Sequence, residues 1–116
     1  MDEIATENHF DRLTKRRTQL LSTLRHLDKE QAQVERNSDW VDQAAYESRV
    51  PLLDRLHGWY HAEMAQIDSA LARINHHIYG ICLACHDPIE PKRLETAPEA
   101  EFCGPCQAQR DEFEHV

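Results

Sequence analysis

Two Cys-x-x-Cys pairs near the carboxyl end of the chain have the residue types and the spacing of a metal site. Cys82 and Cys85 form the first pair, Cys103 and Cys106 form the second, and 17 residues separate the two pairs. Each pair directs two thiolates at one centre, and together they complete a tetrahedron of sulfur ligands about 2.3 Å from a zinc ion. Four thiolates leave no coordination position for water. The spacing therefore predicts one structural Zn²⁺ ion rather than a catalytic metal.

Other chemistry could use the same four cysteines. Two disulfides, a thiol pair that binds zinc only when reduced, and a single iron ion are the alternatives. The start Met1-Asp2-Glu3 is acidic and no apolar h-region of a signal peptide follows it. No apolar run approaches the roughly 18 residues that span a bilayer. We therefore expect a cytoplasmic protein without a membrane segment, and the reducing cytoplasm favours zinc over disulfides.

Histidines are frequent but add little to this prediction. His76, His77 and His86 lie close to the cysteines in the chain, yet four thiolates already complete a tetrahedral site. His57 and His61 are one helical turn apart and could bind a transition metal weakly. A solvated helix face is the interpretation that we favour for this pair.

Two long amphipathic segments precede the cysteines. The first covers residues 2–36 and contains neither Gly nor Pro. With Arg17 and Gln31 at two of the steps, its apolar residues follow the alternating spacings of 3 and 4 that mark a coiled coil. The second covers about residues 39–78 and has a similar stripe. Only Asn37-Ser38-Asp39 separates them, so the two helices must fold back on each other as an antiparallel hairpin. The apolar positions of the first segment are Phe10, Leu13, Leu20, Leu24, Leu27 and Val34.

These elements predict a mainly α fold. A coiled-coil hairpin occupies residues 1–78 with its tip at 37–44, and residues 79–116 form the four-cysteine finger and a short C-terminal helix. We place that helix at residues 107–114, with Phe113 packing against the base of the coil. Pro51 removes one hydrogen bond from the second helix, and we expect a kink there in a helix that stays in one piece.

The chain is acidic, with 13 Lys and Arg residues against 21 Asp and Glu residues and a formal net charge of −8. A protein that binds DNA through its phosphates needs a basic face, which this composition makes hard to build. The charge favours instead a protein partner with a basic surface or channel. We expect no direct DNA binding and a monomeric protein.

The predicted tip of the hairpin has its own pattern. Asp39 and Asp42 can cap the start of the second helix and complement its dipole, which is sufficient to explain both residues. Trp40 is harder to explain in this way, because a large aromatic side chain at a projecting tip has little core to enter. An exposed aromatic residue at such a place suggests contact with a protein partner.

The chain from about Phe10 onward resembles the DksA/TraR family of bacterial transcription regulators. The resemblance rests on three motifs that a zinc ribbon alone would not share. They are Asp39-x-x-Asp42-x-Ala44 at the tip, Tyr79-Gly80-Ile81-Cys82 before the finger, and Arg93-Leu94-Glu95 followed by Pro98-x-Ala100-x-x-Cys103-x-x-Cys106.

The resemblance implies a regulator that is not an enzyme and enters the secondary channel of RNA polymerase with its hairpin. It implies that Asp39, Asp42 and Ala44 act near the polymerase active site and that initiation changes without DNA binding; we add Trp40 as a contact residue. At the family's basic positions for the alarmone ppGpp this chain has Gln66, Ala97 and Gln107. Neutral side chains cannot form ion pairs with phosphates, so we expect weak or absent ppGpp dependence.

Two other classes of function stay open at this point. A transcript-cleavage factor similar to the Gre proteins would hold a catalytic Mg²⁺ ion with its tip carboxylates, although Gre proteins lack a four-cysteine finger. A zinc-stabilised coiled-coil adaptor, for example one associated with the ribosome, would need no polymerase.

Overall fold

The computed structural model describes the backbone of residues 3–36 and 43–114, and the side chains of these residues except 43–46, 48 and 114. Within these ranges no strand is present, and the one β pairing is an isolated antiparallel bridge between Ile81 and Pro88. The predicted mainly α fold with two long helices and a short C-terminal helix is confirmed. The four helices are α1 (Glu3–Arg36), α2 (Gln43–Asn75), α3 (Pro91–Thr96) and α4 (Gly104–Glu114).

The chain divides into two compact units, and both long helices contribute to each. Unit 1 consists of Met1–Lys15 and Gln66–Val116, and unit 2 consists of Arg16–Ala65. The predicted division into a hairpin of residues 1–78 and a finger of residues 79–116 follows sequence motifs, and it stays a prediction.

Among the described residues of unit 2, charged side-chain pairs join α1 to α2. The partner's number on α2 falls as the residue number on α1 rises, which is the order of two antiparallel helices. Arg16 makes a two-pronged contact, in which its Nε and Nη2 donate to the two carboxylate oxygens of Glu63 at 2.8 and 2.9 Å. These contacts agree with the predicted hairpin. The pairs are Arg16 with Glu63, Asp28 with His57, and Glu30 with Arg49.

The interior of unit 2 is a seam of aliphatic side chains. Leu27, Val34 and Leu53 form one buried cluster, against which Val50, Leu56 and Tyr60 pack. The buried positions of α1 recur at spacings of 3, 4 and 7, as the heptad pattern predicts. Those in unit 2 are Leu20, Leu24, Leu27 and Val34.

The predicted stripe is wrong at Phe10, in the part of α1 that belongs to unit 1. Phe10 is 45% exposed, and the neighbouring His9 is buried instead. The His9 ring packs against Tyr79 with their centroids 5.8 Å apart. Because His9 lies one turn before the buried Leu13, it shares the face of α1 that Phe10 was predicted to occupy.

Helix α2 ends three residues earlier than predicted, at Asn75 rather than Ile78. His77 has a left-handed backbone with φ of 60°. Its N–H bonds to the carbonyl of Ile74 at 3.1 Å, and the N–H of Ile78 bonds to that of Arg73 at 3.0 Å. These two bonds form a Schellman motif, which turns the chain out of the helix. The sequence did not predict this helix end, because glycine rather than histidine usually occupies the left-handed position.

Helix α2 continues through Pro51 in one piece, as predicted, while the kink expected there stays a prediction. At the carboxyl end, α4 begins at Gly104 rather than at residue 107, and Phe113 is 83% exposed, so the predicted packing of Phe113 is wrong.

No helix within the described ranges combines the length and the apolarity needed to cross a membrane. The predicted tip residues Asp39, Trp40 and Asp42 lie outside the described residues, as does the side chain of Ala44.

Candidate metal centre

The four cysteines meet at one point of unit 1. Their sulfur atoms all lie within 4.8 Å of one another, although 17 residues separate the two pairs in the chain. The Sγ atoms of Cys85 and Cys103 are 3.8 Å apart. A tetrahedron with Zn–S bonds of about 2.3 Å has edges of about 3.8 Å. The sulfur arrangement therefore fits a tetrahedral zinc ion.

Residues 80–89 form the first knuckle, a tight backbone turn that carries Cys82 and Cys85. The N–H of Cys82 bonds to the carbonyl of Asp87 at 2.8 Å, and the N–H of Ile89 bonds to that of Gly80 at 2.8 Å. Gly80 has a φ of 84°, a conformation that glycine adopts without steric cost. These bonds fix the backbone of the turn, and the two sulfur atoms lie close together.

Residues 101–107 form the second knuckle, in which the start of α4 presents Cys103 and Cys106. Helix α4 begins at Gly104, directly after Cys103, and the N–H of Gln107 bonds to the carbonyl of Cys103 at 2.9 Å. The N–H of Leu83 bonds to the carbonyl of Glu101 at 2.9 Å and joins the two knuckles. The helix dipole at this end of α4 favours negative charge on the sulfur atoms.

The pKa values of the thiols diverge within the cluster. Burial raises the pKa of Cys82, but hydrogen bonds from the backbone N–H groups of Cys85, Cys103 and Ala84 outweigh burial and lower it to about 6. The hydrogen bond with the Cys103 side chain, followed by burial, raises the pKa of Cys106 to about 12. A bound divalent metal would lower the pKa of its thiol ligands and favour their thiolate form.

The loop between α3 and α4 is irregular, and three side chains bind its carbonyl groups. The Nε of Arg93 donates to the carbonyl of Phe102 at 2.9 Å, and the hydroxyl of Tyr79 donates to that of Pro98 at 2.8 Å. Arg73 donates to the carbonyl of Ala100 at 3.3 Å. Burial raises the pKa of Tyr79 to about 12 and lowers the pKa of Arg73. These donors replace the backbone partners that a helix or sheet would provide.

Sequence reasoning missed Arg73 and its role. The side chain is buried, and its second nitrogen donates to the Ser69 hydroxyl at 2.7 Å. An arginine within a helical heptad pattern carries no signal that distinguishes it from a solvated charge. Among the described side chains, no histidine joins the sulfur cluster, in agreement with the four-cysteine prediction.

The three neutral residues that were predicted to replace basic positions for ppGpp come together in unit 1. Gln66, Ala97 and Gln107 line one cleft of about 160 Å³. Its charged lining residues are Arg93, Glu99 and Glu101.

Comparison with known proteins agrees with this geometry. Residues 77–112 match the family model of the prokaryotic DksA/TraR C4-type zinc finger. The RNA polymerase-binding transcription factor DksA of Caulobacter vibrioides is 32% identical over 94 residues, which cover 81% of this chain. The chain spans 64% of that relative's own length and 61% of a curated relative from Aquifex aeolicus.

Solved structures extend the similarity to the whole chain. The transcription factor DksA2 from Pseudomonas aeruginosa matches with a TM-score of 0.87 and 28% identity, covering 100% of this chain and 90% of its own. The DnaK suppressor protein from Agrobacterium tumefaciens is 35% identical with a TM-score of 0.59, and the match covers 89% of this chain and 91% of the other. The chain therefore belongs to the DksA/TraR family, and its four cysteines form that family's site for one structural zinc ion.

Proposed function

We propose that this protein binds RNA polymerase through the secondary channel and modulates transcription initiation without binding DNA. The observation that carries the proposal is the match of the entire chain to a DksA2 transcription factor with a TM-score of 0.87. The Caulobacter relative, which is named as RNA polymerase-binding, supports the same partner. The protein contributes contacts rather than chemistry, and it acts as a monomer in the cytoplasm.

In the proposed mechanism, the tip residues and the zinc site have different roles. Asp39, Trp40, Asp42 and Ala44 contact the polymerase near its active centre, where the two carboxylates change the stability of the open promoter complex. The zinc ion keeps the finger folded and takes part in no reaction, because all four of its ligand positions are thiolates. The two helices of unit 2, which pack through an aliphatic interior, flank the tip in the sequence.

The charge of the chain supports a polymerase contact and disfavours DNA. A net charge of −8 repels a phosphate backbone and attracts a basic channel wall. Because these interactions are long-range, binding to the polymerase should weaken as salt rises.

The cleft in unit 1 supports weak or absent dependence on ppGpp. Its lining contains one positive group, Arg93, against the carboxylates of Glu99 and Glu101. The Nε of Arg93 already donates to the carbonyl of Phe102, which leaves this guanidinium fewer donors for a phosphate. An alarmone with several phosphates needs more positive charge than this lining provides.

The test measures binding to core RNA polymerase and initiation at a ribosomal promoter, with and without ppGpp. Asp42→Asn should retain binding and lose the effect on initiation by about tenfold or more, because a hydrogen bond to a charged group contributes about 1.5–3 kcal/mol and about 1.4 kcal/mol is a factor of ten. Asp11→Asn is the matched control, because Asp11 is an exposed carboxylate on α1 outside the tip. It should behave as the unchanged protein does.

Other results would assign the chain elsewhere. Loss of transcript cleavage in Asp42→Asn would indicate a Gre-like factor, and absence of polymerase binding by the unchanged protein would indicate an adaptor. Strong synergy with ppGpp would contradict only the inference of weak ppGpp dependence. It would not contradict the proposal that the protein binds RNA polymerase.

A further inference from the structure

His57 on α2 forms a bridge between the two helices of unit 2. Its Nε2 lies 2.9 Å from Oδ1 of Asp28 on α1, and its Nδ1 lies 2.9 Å from the carbonyl oxygen of Leu53 on α2. The side chain is 15% exposed, so the predicted solvated face is wrong for His57. The ring thus has a defined partner at each nitrogen.

Both partners of the ring can only accept hydrogen bonds. A carbonyl oxygen never donates, and neither does an ionised carboxylate. A neutral imidazole carries a hydrogen on one nitrogen and a lone pair on the other, so it can satisfy one of these contacts. Its second nitrogen would then direct a lone pair at an oxygen 2.9 Å away. Only the imidazolium, which has a hydrogen on both nitrogens, satisfies the two contacts together.

The groups around His57 favour the charged ring. The hydrogen bond with Asp28 is the main cause that raises the pKa of His57, and the hydrogen bond with the Leu53 carbonyl raises it further. Burial opposes this effect, while the charges of Asp28 on α1 and Asp54 on α2 add to it. The ring of His61 on α2 stacks on His57, with the centroids 6.2 Å apart.

We propose that His57 is an imidazolium in the folded protein and that its proton links α1 to α2, so the helix pairing of unit 2 weakens when His57 is deprotonated. The contact lies beside the aliphatic interior, because Leu53, whose carbonyl accepts from the ring, is also a member of the buried cluster with Leu27 and Val34. This inference does not depend on the proposed polymerase function.

The direction of the pH effect follows from the two states. An unfolded histidine has a pKa of about 6.5, and the folded value is higher. The contribution to stability is therefore fully present below about pH 6.5 and is lost as the pH rises through the folded pKa.

The experiment uses the full-length, zinc-loaded protein. An NMR titration should give the His57 ring a pKa above 6.5, and Asp28→Asn should bring that pKa toward 6.5. The thermal midpoint of the unchanged protein minus that of His57→Gln should decrease between pH 6 and pH 9. Glutamine keeps a neutral donor at all pH values, so only the unchanged protein loses a proton at this position. His26→Gln is the matched control, since His26 is exposed on α1 of the same unit.

Each readout can overturn the proposal independently. A His57 pKa at or below 6.5, or a value that Asp28→Asn does not change, would contradict the imidazolium. A difference between the unchanged protein and His57→Gln that is constant with pH would contradict the linkage. His26→Gln should show the same pH dependence as the unchanged protein, and a loss of that dependence would assign the effect elsewhere. The NMR titration remains informative even if a variant is less stable.

Discussion

Units 1 and 2 both have a small interior, but different interactions stabilise them. In unit 2, two long helices satisfy their own backbone groups, and aliphatic side chains such as Leu20 and Leu53 fill the space between them. In unit 1, the segment from Ile78 to Cys103 contains only one short helix. Several of its carbonyl groups are bound by side chains, among them Arg93 and Tyr79, and its sulfur cluster is suited to a metal.

The difference shows what irregular backbone requires. A loop carbonyl that no backbone N–H reaches needs another donor, because a buried carbonyl without a partner costs about 1–3 kcal/mol. Unit 1 therefore uses polar side chains in its interior, while unit 2 keeps its charged pairs at the edge of an apolar seam. Unit 1 should be sensitive to the loss of single donors and of the metal, and unit 2 should be sensitive to lost volume.

Removal of a metal ligand should have the largest effect, and it should be confined to unit 1. Cys103→Ser is expected to abolish tight zinc binding and unfold the finger, because structural zinc contributes about 10–16 kcal/mol in comparable sites. The measurements are zinc content per chain and hydrogen exchange along the sequence. His86→Asn is the control: it removes an imidazole next to Cys85, and asparagine tolerates the φ of 65° at this position. Loss of exchange protection throughout residues 20–35 would contradict the separation of the two units.

A cavity in the seam should have the next largest effect. Leu20 is fully buried, and Leu20→Ala should lower the free energy of unfolding by about 2–5 kcal/mol. Urea denaturation followed by circular dichroism measures this value. Leu52→Ala, at a site that is 45% exposed, should cost about 0.5 kcal/mol or less. Equal losses in the two variants would mean that unit 2 is not held together by its aliphatic interior.

Loss of a single donor in unit 1 should have a smaller but measurable effect. Tyr79→Phe leaves the carbonyl of Pro98 without its partner and should cost about 1–3 kcal/mol. The same change at Tyr60, a half-buried tyrosine of unit 2, is the control and should cost less. Thermal denaturation of the zinc-loaded protein compares the two. If both variants lose the same stability, the hydroxyl of Tyr79 is not needed to satisfy the loop.

The sequence predicted the parts of the molecule that repeat or that have fixed spacing. Heptad positions such as Leu20 and Leu27 are buried as expected, and the spacing of the cysteines was sufficient to predict the metal site. Both patterns are local or periodic, so they can be recognised without knowledge of the tertiary structure.

The remaining features depend on contacts between distant residues. Arg73 and His57 lie in an ordinary helical pattern, and their roles arise from Ala100 and Asp28, which are far away in the sequence. The end of α2 was missed because histidine rather than glycine occupies the left-handed position. Phe113 was predicted to pack against the base of the coil, but among the described residues its side chain is 83% exposed.

The spacing of the charged pairs in unit 2 constrains how the length of the hairpin can change during evolution. Arg16 and Glu30 are 14 positions apart on α1, and their partners Glu63 and Arg49 are 14 positions apart on α2. This distance is two heptads in each helix. An insertion or deletion in one helix alone would misalign every pair beyond it. Homologues with longer or shorter hairpins should therefore differ by multiples of seven residues, gained or lost in both helices together.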